Sequence, residues 1–196
     1  MTLRFRLTYI LILINLAVYL CTSIISGDFI FTDDTLLMQL GQWNYMVLSG
    51  HYWQLLTAMF IHVNLIHLTV NLFFLLIFGL RAEQLFTMPE YIFIYFLSGL
   101  AGNLSTLLLG PYTVSAGASG AIFGLFGACI IYIRRTIGQS IVSALLYGFI
   151  LLMLSNAPGV NFLAHLGGLA AGLTIGYVVA SRRSFQITYQ YAISYG

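Results

Sequence analysis

The chain has 196 residues, 60% of them apolar and 6% charged, with seven arginines, no lysine and a net charge of +2. About a quarter of the residues in a water-soluble domain are charged, so this chain cannot cover a water-facing surface, and its small charge gives no reason to expect nucleic acid. Apolar runs near the roughly 20 residues that a helix needs to cross a bilayer recur from end to end.

The first span covers about Leu7–Ile25. It is basic and then apolar, as a signal peptide is, but it is long for a cleaved segment and no A-x-A-like site follows, so it reads as retained. The outer loop from Ser26 to Gln54 is the longest connection. Within it Leu36, Leu37, Leu40, Trp43, Val47 and Leu48 recur at roughly helical spacing, which predicts an amphipathic helix in the interface, with Trp43 and Trp53 at headgroup depth. The second span, about Leu55–Gly79, carries His62, His67 and Asn71 in its outer half. Polar groups in a membrane helix are costly, so each requires a reason. His67 and Asn71 are four apart and share a face, whereas His62 is expected to be turned away by about 140°. The third span is about Tyr91–Leu109. The fourth, about Ala118–Ile133, is opened by Ser119 within Gly117-Ala118-Ser119-Gly120. The fifth covers about Ser140–Leu154, and the sixth, about Phe162–Ala180, carries His165 near its outer end. Cys21 and Cys129 lie within spans and read as small packing residues, with no disulfide framework or metal site implied.

Six spans place Arg4, Arg6, Arg81, Arg134, Arg135, Arg182 and Arg183 on the side of both termini, and Asp28, Asp33 and Asp34 on the other. The positive-inside rule then puts both termini in the cytoplasm. The expected fold is an all-α polytopic membrane protein: one six-helix domain over residues 1–183, a short cytoplasmic tail over 184–196, and a partly helical embedded outer loop between the first two spans.

The fourth span is about 24 Å long, against a hydrocarbon core of about 30 Å. If Arg134 and Arg135 hold its inner end at the interface, Ser119 lies below the outer surface and Gly110–Gly117 must dip to meet it. Irregular backbone at that depth must be buried in protein or line a wet cavity. Gly168, Gly172 and Gly176 continue from His165 as one stripe, and Gly120, Gly124 and Gly127 do nearly the same from Ser119. Small residues at this spacing let helices approach closely in lipid, so facing stripes would bring Ser119 to His165. A serine hydroxyl needs a base to take its proton. Only histidines lie at the right depth, which excludes a Ser–Lys mechanism. The Asn71 amide, the His67 ring and the Ser119 N–H are candidate oxyanion donors.

These blocks resemble the rhomboid family of intramembrane serine proteases. The resemblance rests on Gly117-x-Ser119-Gly120 with Gly124, on Ala164-His165-x-x-Gly168-x-x-x-Gly172, on His62-x4-His67-x3-Asn71, and on Glu83 after the second span. Together they cover about the last three-quarters of the chain, in the family's order. The resemblance implies that Ser119 is the nucleophile and His165 the general base, with His67 and Asn71 completing an oxyanion hole and Gly117, Gly120, Phe123 and Gly168 supporting the site. It implies lateral entry of transmembrane substrates past the fifth helix and a loop around Ser155–Phe162. The family's aromatic four residues after the serine is Phe123 here, and its usual Trp-Arg in the outer loop is Trp53-Gln54. That exchange removes an expected loop anchor.

Taken singly, the residues have plainer readings. Ser119 could be a packing serine at a helix start, His165 an interfacial histidine satisfied by water, and His67 with Asn71 a structural bonded pair. Their shared depth favours chemistry. His51 is assigned no role, His62 reads as loop-supporting, and Glu83 as a structural ion partner. A metalloprotease would want H-E-x-x-H, and a transporter polar groups near the midplane. The alternative from another class is an inactive rhomboid-like protein that binds membrane clients. The expected partners are transmembrane protein substrates and the lipid bilayer, with no metal and no cofactor. The expected location is a prokaryotic plasma membrane, with the site toward the extracytoplasmic side.

Overall fold

The computed structural model describes residues 7–155 and 159–183. Arg4, Arg6, the tail 184–196 and the middle of the expected 155–162 loop lie outside these residues. Among the described residues the order is α1 (Leu7–Ser26), α2 (Asp34–Leu40), β1 (Gln42–Trp43), α3 (Asn44–Leu48), α4 (Gln54–Thr57), α5 (Leu65–Leu85), α6 (Met88–Thr106), β2 (Val114–Ser115), α7 (Ser119–Thr136), α8 (Ile141–Leu154) and α9 (Phe162–Arg182). Four helices, α1, α5, α6 and α9, are long and apolar enough to cross a membrane. With many large apolar side chains of these helices exposed, among them Leu13, Leu20, Phe73, Phe93 and Leu166, the architecture is that of an all-α polytopic membrane protein.

The bundle is built around α7, which packs against α5, α6, α8 and α9. Its sequence suits that place. Glycines and alanines at 120, 121, 124, 127 and 128 leave little side chain, and all five are buried. The two glycine stripes do face each other. A Cβ on Gly168 would lie 2.0 Å from the Gly120 carbonyl oxygen, and one on Gly172 would lie 2.0 Å from that of Gly124. One on Gly176 would lie 2.5 Å from that of Ala128. Backbones in contact at three successive turns gain dispersion contacts that no side chain could add.

The second apolar run departs from expectation. Helix α5 starts at Leu65, not at Leu55, because the Asn64 side chain accepts a hydrogen bond from the His67 N–H at 2.8 Å and caps the first turn. The run from Leu55 to Val63 is equally apolar but forms the end of α4 and an irregular connection. His62 therefore lies outside the helix, and the 140° offset does not apply. It is fully buried, with its ring edge-on to His67 at 5.2 Å between centroids. Its carbonyl accepts from the Thr32 hydroxyl at 2.7 Å, so it does support the outer loop.

That loop is also broken where one helix was expected. Between α2 and α3, Gln42 and Trp43 pair antiparallel with Ser115 and Val114. The buried Gln42 amide donates to the Asn103 carbonyl, and the Asn44 amide donates to the carbonyls of Thr106 and Gly110, each at 2.8 Å. These long-range bonds outweigh the local helical preference and tie the loop to the end of α6. Gln54 replaces the missing anchor. Its amide nitrogen donates to Met38 O at 2.8 Å and Gln39 O at 3.1 Å, while its oxygen accepts from Trp43 N at 2.9 Å. Gln54→Leu leaves three backbone groups without that partner, and about 1–3 kcal/mol of stability should be lost. Thermal unfolding in detergent micelles checks this, and an unchanged midpoint would remove the anchoring role.

At the opposite end, Glu83 accepts from the Thr8 N–H at 2.7 Å and the Thr8 hydroxyl at 2.9 Å, fixing the start of α1 against the end of α5. Arg183 donates to Leu85 O and Tyr132 Oη, each at 2.8 Å, and pairs with Glu90. The start of α1 and the end of α9 thus lie at one end of the bundle, beside the final turns of α5 and α7.

Candidate active site

A cavity of about 820 Å³ opens in the half of the bundle that carries the outer loop. Its walls come from α5 through His67, Val70 and Asn71, from α7 through Ser119 and Phe123, from α8 through Leu151 and Leu154, and from α9 through His165. The strand residues Val114 and Ser115 line it as well. The cavity is mainly apolar, with a few convergent polar groups, as binding sites commonly are.

Ser119 occupies the first turn of α7, and His165 the first turn of α9. Helix α9 is started by the Asn161 side chain, which accepts from the Ala164 N–H at 3.0 Å. The glycine seam below then brings the two first turns side by side. Ser119 Oγ lies 2.8 Å from His165 Nε2, which is hydrogen-bond distance. The Phe123 ring, one turn after the serine, stacks on the imidazole at 4.5 Å between centroids and 23° between planes. The expected encounter and the expected stacking are both present.

His67 comes to the same place from α5. Gly117 has φ of +127°, a conformation that side chains with a Cβ rarely adopt. A Cβ there would meet His67 Cε1 at 2.8 Å and Nε2 at 2.9 Å, so the imidazole lies directly against the bare backbone two residues before Ser119. The Gly117 N–H is bonded to Ala58 O at 2.8 Å, which holds the dipping segment. Asn71 lies on the cavity wall one turn below His67. Its amide donates to the His67 carbonyl at 2.9 Å, which engages one of its two N–H bonds. Gly120 and Gly168 sit in the seam under the pair, and Glu83 is at the far end of α5, away from the cavity.

Three polar residues at this depth escaped the sequence reading. The Ser155 hydroxyl, at the end of α8, lies 3.1 Å from His165 Nδ1. The Asn161 amide donates to Thr106 Oγ1 at 2.7 Å and Ser115 Oγ at 2.9 Å, joining α9 to α6 and β2. Asn103 donates to Leu55 O at 2.7 Å. Asn103 lies in the last turn of α6, whereas Ser155 and Asn161 are the residues that end α8 and precede α9, just outside the apolar runs in which polar residues were weighed.

The rhomboid domain model matches residues 49–182, which include every residue of the cavity named above. The chain is 35% identical over 161 residues to RHOMBOID-like protein 6, mitochondrial, of Arabidopsis thaliana, covering 78% of this chain and 52% of that protein. It is 34% identical over 152 residues to RHOMBOID-like protein 2 of the same plant, covering 74% of this chain and 47% of that one. It is 29% identical over 177 residues to rhomboid protease GluP of Bacillus subtilis (strain 168), covering 84% of this chain and 33% of that one. The chain therefore spans between a third and about half of the length of these relatives. A specifically prokaryotic origin draws no support from them, since they come from a plant as well as from a bacterium.

Proposed function

The chain belongs to the rhomboid family, and from that membership and its site we propose that it is an intramembrane serine endopeptidase. The observation that carries this reading is the 2.8 Å contact of Ser119 Oγ with His165 Nε2 at the wall of a cavity between membrane helices. In this reading Ser119 Oγ attacks the carbonyl carbon of a peptide bond while His165 Nε2 takes its proton. The carbonyl oxygen becomes an oxyanion, met by the Ser119 N–H, the His67 ring and the second N–H of Asn71. His165 then passes its proton to the leaving amine. A water, deprotonated by the same nitrogen, releases the acyl group and returns Ser119. The step needs water and no cofactor.

The proposed topology has six spans in a single domain over residues 1–183, with both termini and the tail 184–196 in the cytoplasm and the site toward the extracytoplasmic side. Helices α7 and α8 complete the six. At 18 and 14 residues they are about 27 Å and 21 Å long, shorter than the hydrocarbon core, and their ends leave room for the cavity. The proposed substrates are transmembrane segments entering between α5 and α8, whose Val70 and Leu154 both line the cavity. A strand must be extended to be cut, so residues that weaken a helix should favour cleavage.

The test is cleavage, in liposomes, of a synthetic transmembrane peptide carrying small residues and a proline near its outer end. Cutting within the outer part of the peptide is the expected result. A folded protein that captures such peptides and cuts none of a varied set would instead support the client-binding alternative.

A further inference from the structure

Imidazole chemistry at the pair turns on which nitrogen carries the proton, and one contact bears on it. Ser155 Oγ lies 3.1 Å from His165 Nδ1, on the edge of the ring away from Ser119. The same hydroxyl donates to Leu152 O at 2.9 Å, within the last turn of α8. A hydroxyl has one proton and two lone pairs. With its proton directed at Leu152, Ser155 can meet the imidazole only as an acceptor. The ring proton then sits on Nδ1, and Nε2 is left with the lone pair, 2.8 Å from Ser119 Oγ. No carboxylate lines the cavity among the described residues.

We propose that Ser155 is a positioning residue that holds His165 in its Nδ1–H tautomer with Nε2 facing Ser119. This rests on the proteolytic reading above and adds a third, uncharged member to the pair. Three elements then hold one imidazole: α7 presents Ser119 and the stacked Phe123, α8 presents Ser155, and α9 carries the ring itself. Stacking on the ring face does not distinguish the two nitrogens, so the choice of tautomer needs an edge-on partner.

The size of the effect follows from the chemistry. Replacing the carboxylate in this position of a triad by an amide costs about 10⁴-fold in kcat, because the histidine is then held in the wrong tautomer. A neutral hydroxyl makes an ordinary hydrogen bond, and its loss is expected to lower kcat about 3- to 10-fold. Ser155→Ala should show that fall with KM unchanged, in cleavage of the same peptide by the full chain in liposomes. Labelling of Ser119 by a small fluorophosphonate, scaled to folded protein, should slow by a similar factor because it needs the base but not the peptide. Ser155→Thr keeps the hydroxyl and should restore both rates. Unchanged kcat and labelling in Ser155→Ala would overturn the assignment, as would a change confined to KM, or a threonine variant as slow as the alanine one. In each of these outcomes wild type still cuts and the proteolytic reading survives. A wild type that neither cuts nor labels would overturn that reading, and the role of Ser155 with it.

Discussion

Ser119→Ala and His165→Ala are each expected to lower peptide cleavage about 10⁴-fold or more, and the double variant no further. The nucleophile and its base act as one unit: without the base the hydroxyl stays protonated, and without the hydroxyl the base has nothing to activate. Neither change should unfold the protein. Ser119 is at the first helical position of α7, where alanine is a good helix former. His165 is buried against Phe123, and its loss removes ring packing but no ion pair. Product formation measured by mass spectrometry, with the unfolding midpoint recorded alongside, separates loss of chemistry from loss of fold. His165→Ala activity within tenfold of wild type would mean that another group takes the proton, and His67 is the imidazole nearest at hand on the cavity wall.

Much of this site was legible because lipid restricts what a polar residue can do. Ser119 and His165 stood out by depth, and the glycine stripes predicted the seam that joins them, since small residues at four-residue spacing have few other uses in a membrane helix. Errors arose where hydropathy is blind to a helix end. Leu55–Val63 is as apolar as α5, and only the Asn64 cap separates the two, so His62 was assigned a helical angle it does not have. Periodicity likewise joined α2 to α3, whereas Gln42 and Asn44 take partners on residues 103 to 110, which no local pattern encodes. Gln54 was read as a lost arginine. An amide has both a donor and an acceptor, and here it satisfies carbonyls and an N–H that a guanidinium could not all serve. Ser155 is neither a base, an acid nor an oxyanion donor, so its residue type does not mark it out, and its place behind the histidine is visible only in the fold.

Gly168→Ala should lower activity about 10²-fold while leaving a folded bundle. The added Cβ would stand 2.0 Å from Gly120 O and 2.9 Å from Gly120 Cα. Ordinary contact needs more than 3 Å, and backbone atoms cannot turn aside as a side chain can. Helices α7 and α9 must therefore part by about 1 Å. Gly120 follows Ser119 directly, and His165 lies one turn above Gly168, so the parting falls on the 2.8 Å contact between them. A gap near 4 Å is no hydrogen bond, and a misplacement of about 1 Å costs roughly 10²-fold in rate. The stability cost, about 1–3 kcal/mol for overpacking, is a separate quantity. Gly176→Ala distinguishes the two. Its Cβ would meet Ala128 O at 2.5 Å, a comparable clash two turns further from the site. It should lower the unfolding midpoint as Gly168→Ala does, with much the smaller loss of cleavage. Gly148→Ala serves as the mild control, since its Cβ would meet only the Leu169 side chain, at 3.3 Å. Equal losses of activity in Gly168→Ala and Gly176→Ala would show that the seam acts through stability alone and not through the spacing of Ser119 and His165.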